Sequence, residues 1–113
     1  MIRLILQKET LKDVYLNRQG GLLDVIFVEN KNNQYVFSCY QNLETDLVVA
    51  RYNIKNFKFL DKKIIFSSNY YSKSGFHFGC RIVNHDNHIF FSIGDRGDRK
   101  NSQNPTNYPG SII

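Results

Sequence analysis

Arg81-Ile82-Val83-Asn84-His85-Asp86-Asn87-His88-Ile89-Phe90-Phe91-Ser92-Ile93 is the stretch that decides the fold class. Two short β-rich runs, Arg81–Val83 and His88–Ile93, flank a polar group, Asn84–Asn87, of turn-forming residues. That pattern predicts an antiparallel hairpin. Working outward, the same alternation of short runs and turns repeats. Strands are predicted at Ile2–Leu6, Leu22–Val28, Gln34–Tyr40, Asp46–Asn53 and Lys62–Ser67. Asn30–Asn33 reads as a turn, and Asn69–Phe78 as a polar, aromatic loop. Helical periodicity is hard to find.

The reading is therefore all-β, with a sandwich, a barrel and propeller blades all open. At about 40–50 residues per blade, the chain would supply about two blades of a propeller. No internal repeat decides among these architectures. The 16 residues Gly94–Pro109 read as a long loop, after which Ile112 and Ile113 look like the start of a strand. An unfinished strand after a long loop predicts a piece of a larger sheet.

A chain of 113 residues predicts one domain. Its 42% hydrophobic and 22% charged content places it with globular rather than disordered proteins. The formal charge is +5, but the bases are scattered, which argues against a nucleic-acid footprint. Cys39 and Cys80 stand 41 positions apart with no CxxC pair, which argues against zinc. Cys39 lies in an apolar run and reads as a small buried side chain. Whether the two cysteines pair is open at this level. No apolar run approaches a membrane span, and the apolar run near Met1 is too short for a signal peptide.

The chemistry concentrates in Gly75-Phe76-His77-Phe78-Gly79-Cys80-Arg81 and in Gly94-Asp95-Arg96-Gly97-Asp98-Arg99. His77 can take a proton from a hydroxyl near neutral pH, and the flanking glycines allow close approach. The competing reading is a loop histidine bonded to backbone. His85 and His88 sit beside the hairpin turn and read as solvated. The Asp/Arg run alternates in sign, so its members can pair with one another. It lacks the pattern of a calcium loop. Gln19-Gly20-Gly21 precedes a strand and reads first as a tight turn, with Gln19 able to offer an amide to a ligand.

Taken in order, Gln19–Val25 (QGGLLDV), Phe76–Val83 (FHFGCRIV) and Ile89–Arg99 (IFFSIGDRGDR), then Gln103 and Pro109-Gly110, resemble the soluble pyrroloquinoline-quinone (PQQ)-dependent aldose sugar dehydrogenases, the glucose/sorbosone dehydrogenase family. The resemblance covers nearly the whole chain. It implies a six-bladed β-propeller, with residues 1–113 a partial propeller domain of about its first two blades, truncated at the C-terminal end. It places the catalytic base at His77, which would take the anomeric proton as hydride passes to PQQ. It puts Gln19 in the sugar and cofactor pocket, Phe76 against substrate at an often polar position, and Arg81 in a supporting role. PQQ and calcium are the implied cofactors, with most of their ligands in later blades. An aldose sugar is the implied partner and the periplasm the implied location. The expectation for this chain alone is inactivity, with self-association through exposed strand edges and no membrane partner. Cys80 stands where a small residue is common, and Ser111 where lysine is usual. The rival reading is a small basic all-β binding module for nucleic acid or a protein partner.

Overall fold

The computed structural model describes residues 12–113. The strand expected at Ile2–Leu6 lies outside them. Six strands follow in order: β1 Leu22–Asn30, β2 Asn33–Asn42, β3 Asp46–Lys55, β4 Lys58–Ser67, β5 Gly79–His85 and β6 His88–Ile93. They form two antiparallel sheets, β1-β2-β3-β4 and β5-β6, with no α-helix among the described residues. Accordingly, no described helix is long and apolar enough to cross a membrane.

Every strand predicted within the described residues exists, mostly longer than its apolar run. β4 starts at Lys58 rather than Lys62, because the turn residues Asn56 and Phe57 both take positive φ and return the chain immediately. The opening hairpin closes more tightly than predicted. Asp86 and Asn87 alone make the turn, at φ 48° and 60°. Asn and Asp tolerate this left-handed region better than other non-glycine residues.

β2 and β3 are buried on both faces, which explains their near-continuous apolar runs. One face of the larger sheet sets Phe37, Cys39, Leu47 and Val49 against Cys80, Ile82, Phe91 and Ile93 of the smaller one. Val36, Tyr40, Val48, Ala50 and Tyr52 form a second cluster on the other face, joined by Val14 and Val25. The two cysteines, buried in the first cluster, form a disulfide between β2 and β5 with Cα atoms 6.3 Å apart. Cys39 is thus buried, but as half of a cross-link between sheets.

Two expectations for the end of the chain are corrected. The run Gly94–Pro109 is not a bare loop. Asp98 caps a 3-10 turn at Arg99–Gln103 by accepting from the Lys100 N–H, and Asn101 is buried. The Asn101 amide donates to Tyr70 Oη and to the Asp95 carbonyl, and those bonds hold the segment down. Ile112 is also not left without a neighbour. Ser111–Ile113 runs antiparallel to β6, with Ile93 N–H to Ser111 O at 2.8 Å and Ile113 N–H to Phe91 O at 2.9 Å.

Candidate functional site

The site forms where the segment Ser74–Phe78 crosses the ends of both sheets. β5 begins at Gly79, so His77 sits just before a strand anchored by the disulfide at Cys80. His77, Gly79 and Cys80 all take positive φ, at 59°, 68° and 64°. Such a run is costly for non-glycine residues and persists only when neighbours enforce it.

The enforcing contacts are specific. The His77 N–H donates to Gln19 Oε1 at 3.1 Å, and the Gln19 N–H donates to the Gly75 carbonyl at 2.9 Å. The predicted turn before β1 therefore grips the histidine loop from both ends. Gly94 must stay bare, because a Cβ there would stand 2.0 Å from the His77 carbonyl oxygen.

His77 Nδ1 lies 2.7 Å from Asp95 Oδ1. An ionised carboxylate only accepts, so Nδ1 holds the proton, and whenever the ring is neutral its lone pair is on Nε2. The imidazole is 60% exposed while Asp95 is 19% exposed, which gives the pair a supported side and an open side. Asp95 also accepts from the Gly97 N–H at 2.9 Å. That bond, followed by the one to His77, holds the Asp95 carboxyl below its ordinary range.

The sequence reading took Asp95 as part of a charged turn and missed its partnership with His77. The signal was available only as an acid 18 positions on, and no local rule links such a pair. Arg96 is a second correction. It pairs with none of its charged neighbours in the run. Its side chain is fully buried against Asp46, with Nε 2.8 Å from Oδ2.

Of the remaining candidates, Phe76 is exposed at 41%, and the Arg18 guanidinium lies 5.4 Å from its ring centroid. Arg81 is exposed, with Nη1 3.6 Å from Asp24 Oδ1. Asp24 is already committed, accepting from the Ile82 N–H at 2.8 Å. His77 and Gln19 are thus brought together, Phe76 adjoins them, and Arg81 pairs across to β1. His88 Nδ1 meets the Asp86 carbonyl within the hairpin turn, away from this cluster. At the same end of the larger sheet is a cavity of about 240 Å³ lined by Tyr15, Asn17, Gln41, Tyr71 and Lys73 among others, but not by His77.

Calcium does not fit the described residues, which contain no group of three acids, histidines or cysteines able to hold a metal ion. Gln19 holds the His77 N–H through its Oε1, and the Arg81 guanidinium is exposed while 3.6 Å from Asp24.

The model of the family described as Glucose / Sorbosone dehydrogenase matches residues 5–113. No curated protein and no solved structure matches the chain.

Proposed function

The chain belongs to the glucose/sorbosone dehydrogenase family, and from that premise we propose that it forms part of a quinone-dependent enzyme that oxidises the anomeric hydroxyl of an aldose sugar. The observation that supports this reading is the 2.7 Å bond between His77 Nδ1 and Asp95 Oδ1 beneath an exposed imidazole. In this mechanism Asp95 keeps the proton on Nδ1. Nε2 accepts the proton of the anomeric hydroxyl as the C–H bond breaks, and the imidazolium that forms is stabilised by the carboxylate beside it. When bound, the quinone supplies the two-electron acceptor for the departing hydride. Gln19 would contact it, with Arg81 in a supporting place on β5. Phe76 offers an apolar surface where a polar contact to sugar would otherwise stand. The sugar is released as a lactone, and His77 returns its proton to solvent through its open side.

The two sheets are read as successive blades of a six-bladed propeller, with residues 1–113 a partial propeller domain. Periplasmic residence is also proposed. The Cys39–Cys80 disulfide supports an oxidising compartment. If the chain self-associates through strand edges, β4 is a poor surface for it. It carries Lys58, Lys62 and Lys63 and two breaks of register, both of which oppose edge pairing.

The test is sugar-dependent dye reduction with PQQ and calcium, using the complete reading frame that contains this chain. His77→Ala is expected to lower kcat by about 10²–10⁴-fold. Equal turnover in the variant would rule out His77 as the base. The isolated chain should give no turnover above its own His77→Ala control.

A further inference from the structure

Arg96 is the largest of the fully buried side chains among the described residues, and its partner Asp46 is buried as well. Burying two charges far from water is unfavourable unless their hydrogen bonds are saturated. Here they nearly are. The Arg96 Nε and Nη2 groups donate to the two carboxylate oxygens of Asp46 at 2.8 and 3.0 Å. Nη2 also donates to the Ser74 carbonyl at 3.0 Å, and Nη1 donates to the Phe76 carbonyl. Four of the five guanidinium N–H groups are therefore spent. The face of the guanidinium stacks on Phe78, 3.6 Å from the ring centroid. Its own backbone N–H donates to the His77 carbonyl at 3.2 Å.

These contacts share one target. Arg96 holds the carbonyls of residues 74, 76 and 77 and the ring of residue 78, which brackets His77 on both sides. It is also the residue directly after Asp95. Asp46, at φ 68°, opens β3 and belongs to the other sheet. We propose that the Arg96–Asp46 pair is a positioning device that fixes the His77 loop to the larger sheet and thereby sets the His77–Asp95 bond. This rests on the reading of His77 as the base, but its geometry can be tested without any turnover. A lysine could replace the charge of Arg96 but not its planar fork, so the proposal requires arginine specifically.

The experiment is 15N NMR of the histidine side chains, on the chain as it stands, above the histidine titration range. Unsubstituted protein should show His77 with its proton on Nδ1. Arg96→Lys, and the charge-free pair Asp46→Asn with Arg96→Met, should lose that signature and shift towards the Nε2–H tautomer that free imidazoles prefer. Thermal unfolding of the same samples reports whether the fold survives. The double variant removes both charges together, so it avoids leaving one charge buried alone. A folded variant that retains the Nδ1–H signature would overturn the proposal. Should the variants fail to fold, the unsubstituted protein decides. Couplings through hydrogen bonds from the Arg96 guanidinium to the carbonyl carbons of Ser74 and Phe76 should be present, and their absence would overturn the proposal. A positive result here with no effect of His77→Ala on turnover would leave the positioning intact and remove the catalytic reading.

Discussion

Removing the Cys39–Cys80 cross-link should destabilise the protein more than any other conservative change. The bond joins residues 41 positions apart, and loop-closure entropy for that separation is worth about 4 kcal/mol. The entropy of unfolding a chain of 113 residues is about 0.24 kcal/mol/K, so the expected fall in Tm is about 16 °C. Both sulfurs are buried, so alanine replacement adds a small packing loss to the entropic one. Two measurements separate these. Thermal unfolding followed by circular dichroism would compare oxidised protein with protein refolded under reductant, which lacks the bond but keeps the sulfur atoms. The same scan on Cys39→Ala/Cys80→Ala adds the packing term. A drop of under about 3 °C on reduction would refute the reasoning, because it would mean that the unfolded chain gains almost no freedom when the link opens.

Gly94→Ala should push the His77 carbonyl away from its present place, since the new Cβ would fall 2.0 Å from that oxygen. A stability loss of about 1–3 kcal/mol in urea denaturation is expected, with loss of the Nδ1–H signature of His77. Unchanged values would show that the loop yields freely. Tyr40→Phe removes the 2.5 Å hydrogen bond to Asp13 and should cost about 1.5–3 kcal/mol by the same assay. The Tyr40 phenol is raised above its ordinary range by burial and then by Asp13. Its stabilising contribution is therefore complete below about pH 10 and is lost as the pH climbs beyond that, so alkaline unfolding should come later in Tyr40→Phe relative to its own neutral stability. On the acid side, burial raises the Asp13 carboxyl, but hydrogen bonds from Lys62 and Tyr40 and the Lys62 charge outweigh it and leave the group low. Asp95 is low as well. Groups depressed in the folded state stabilise it above about pH 4 and lose that contribution as pH falls through the folded value. Urea midpoints between pH 6 and pH 3 should fall less steeply in Asp13→Asn than in the unsubstituted protein, and an equal slope would contradict this.

The strands were legible because their cause is local. β-branched and aromatic runs such as Tyr35-Val36-Phe37 and Ile64-Ile65-Phe66, bounded by turn residues, need no tertiary information. The last segment was misread because its order comes from contacts distant in sequence. Asn101 reaches Tyr70, 31 positions back, and Ser111–Ile113 pairs with β6 only after the 3-10 turn has brought it there. The candidate site was half legible for the same reason. Gln19 and His77 stand out as a polar residue or a histidine beside glycines, so each could be picked singly. The pairings of His77 with Asp95 and of Arg96 with Asp46 span 18 and 50 positions, and no periodicity encodes them. The alternating signs of Asp95–Arg99 even pointed the wrong way, towards pairing within the run.

Part of the left-handed backbone of this protein lies at the site, and its placement there explains why the site needs two anchors. Positive φ occurs elsewhere too, at Arg18, Asp61 and Asn69 among others, but five such residues, His77, Gly79, Cys80, Arg96 and Gly97, fall in the two segments that meet at the His77–Asp95 bond. A backbone held this way relaxes unless its surroundings over-determine it. Regular pairing cannot do so here, because Ser74–Phe78 belongs to no strand. The disulfide fixes the segment on its C-terminal side by tying Cys80 to β2. The Arg96–Asp46 pair fixes its carbonyls from beneath by tying them to the start of β3. Both anchors run from the smaller sheet or its loops to the larger one, so the position of His77 is set relative to both sheets at once. The open side of the imidazole stays unencumbered as a result, since the hydrogen bonds to His77 itself reach it through its N–H, its carbonyl or Nδ1.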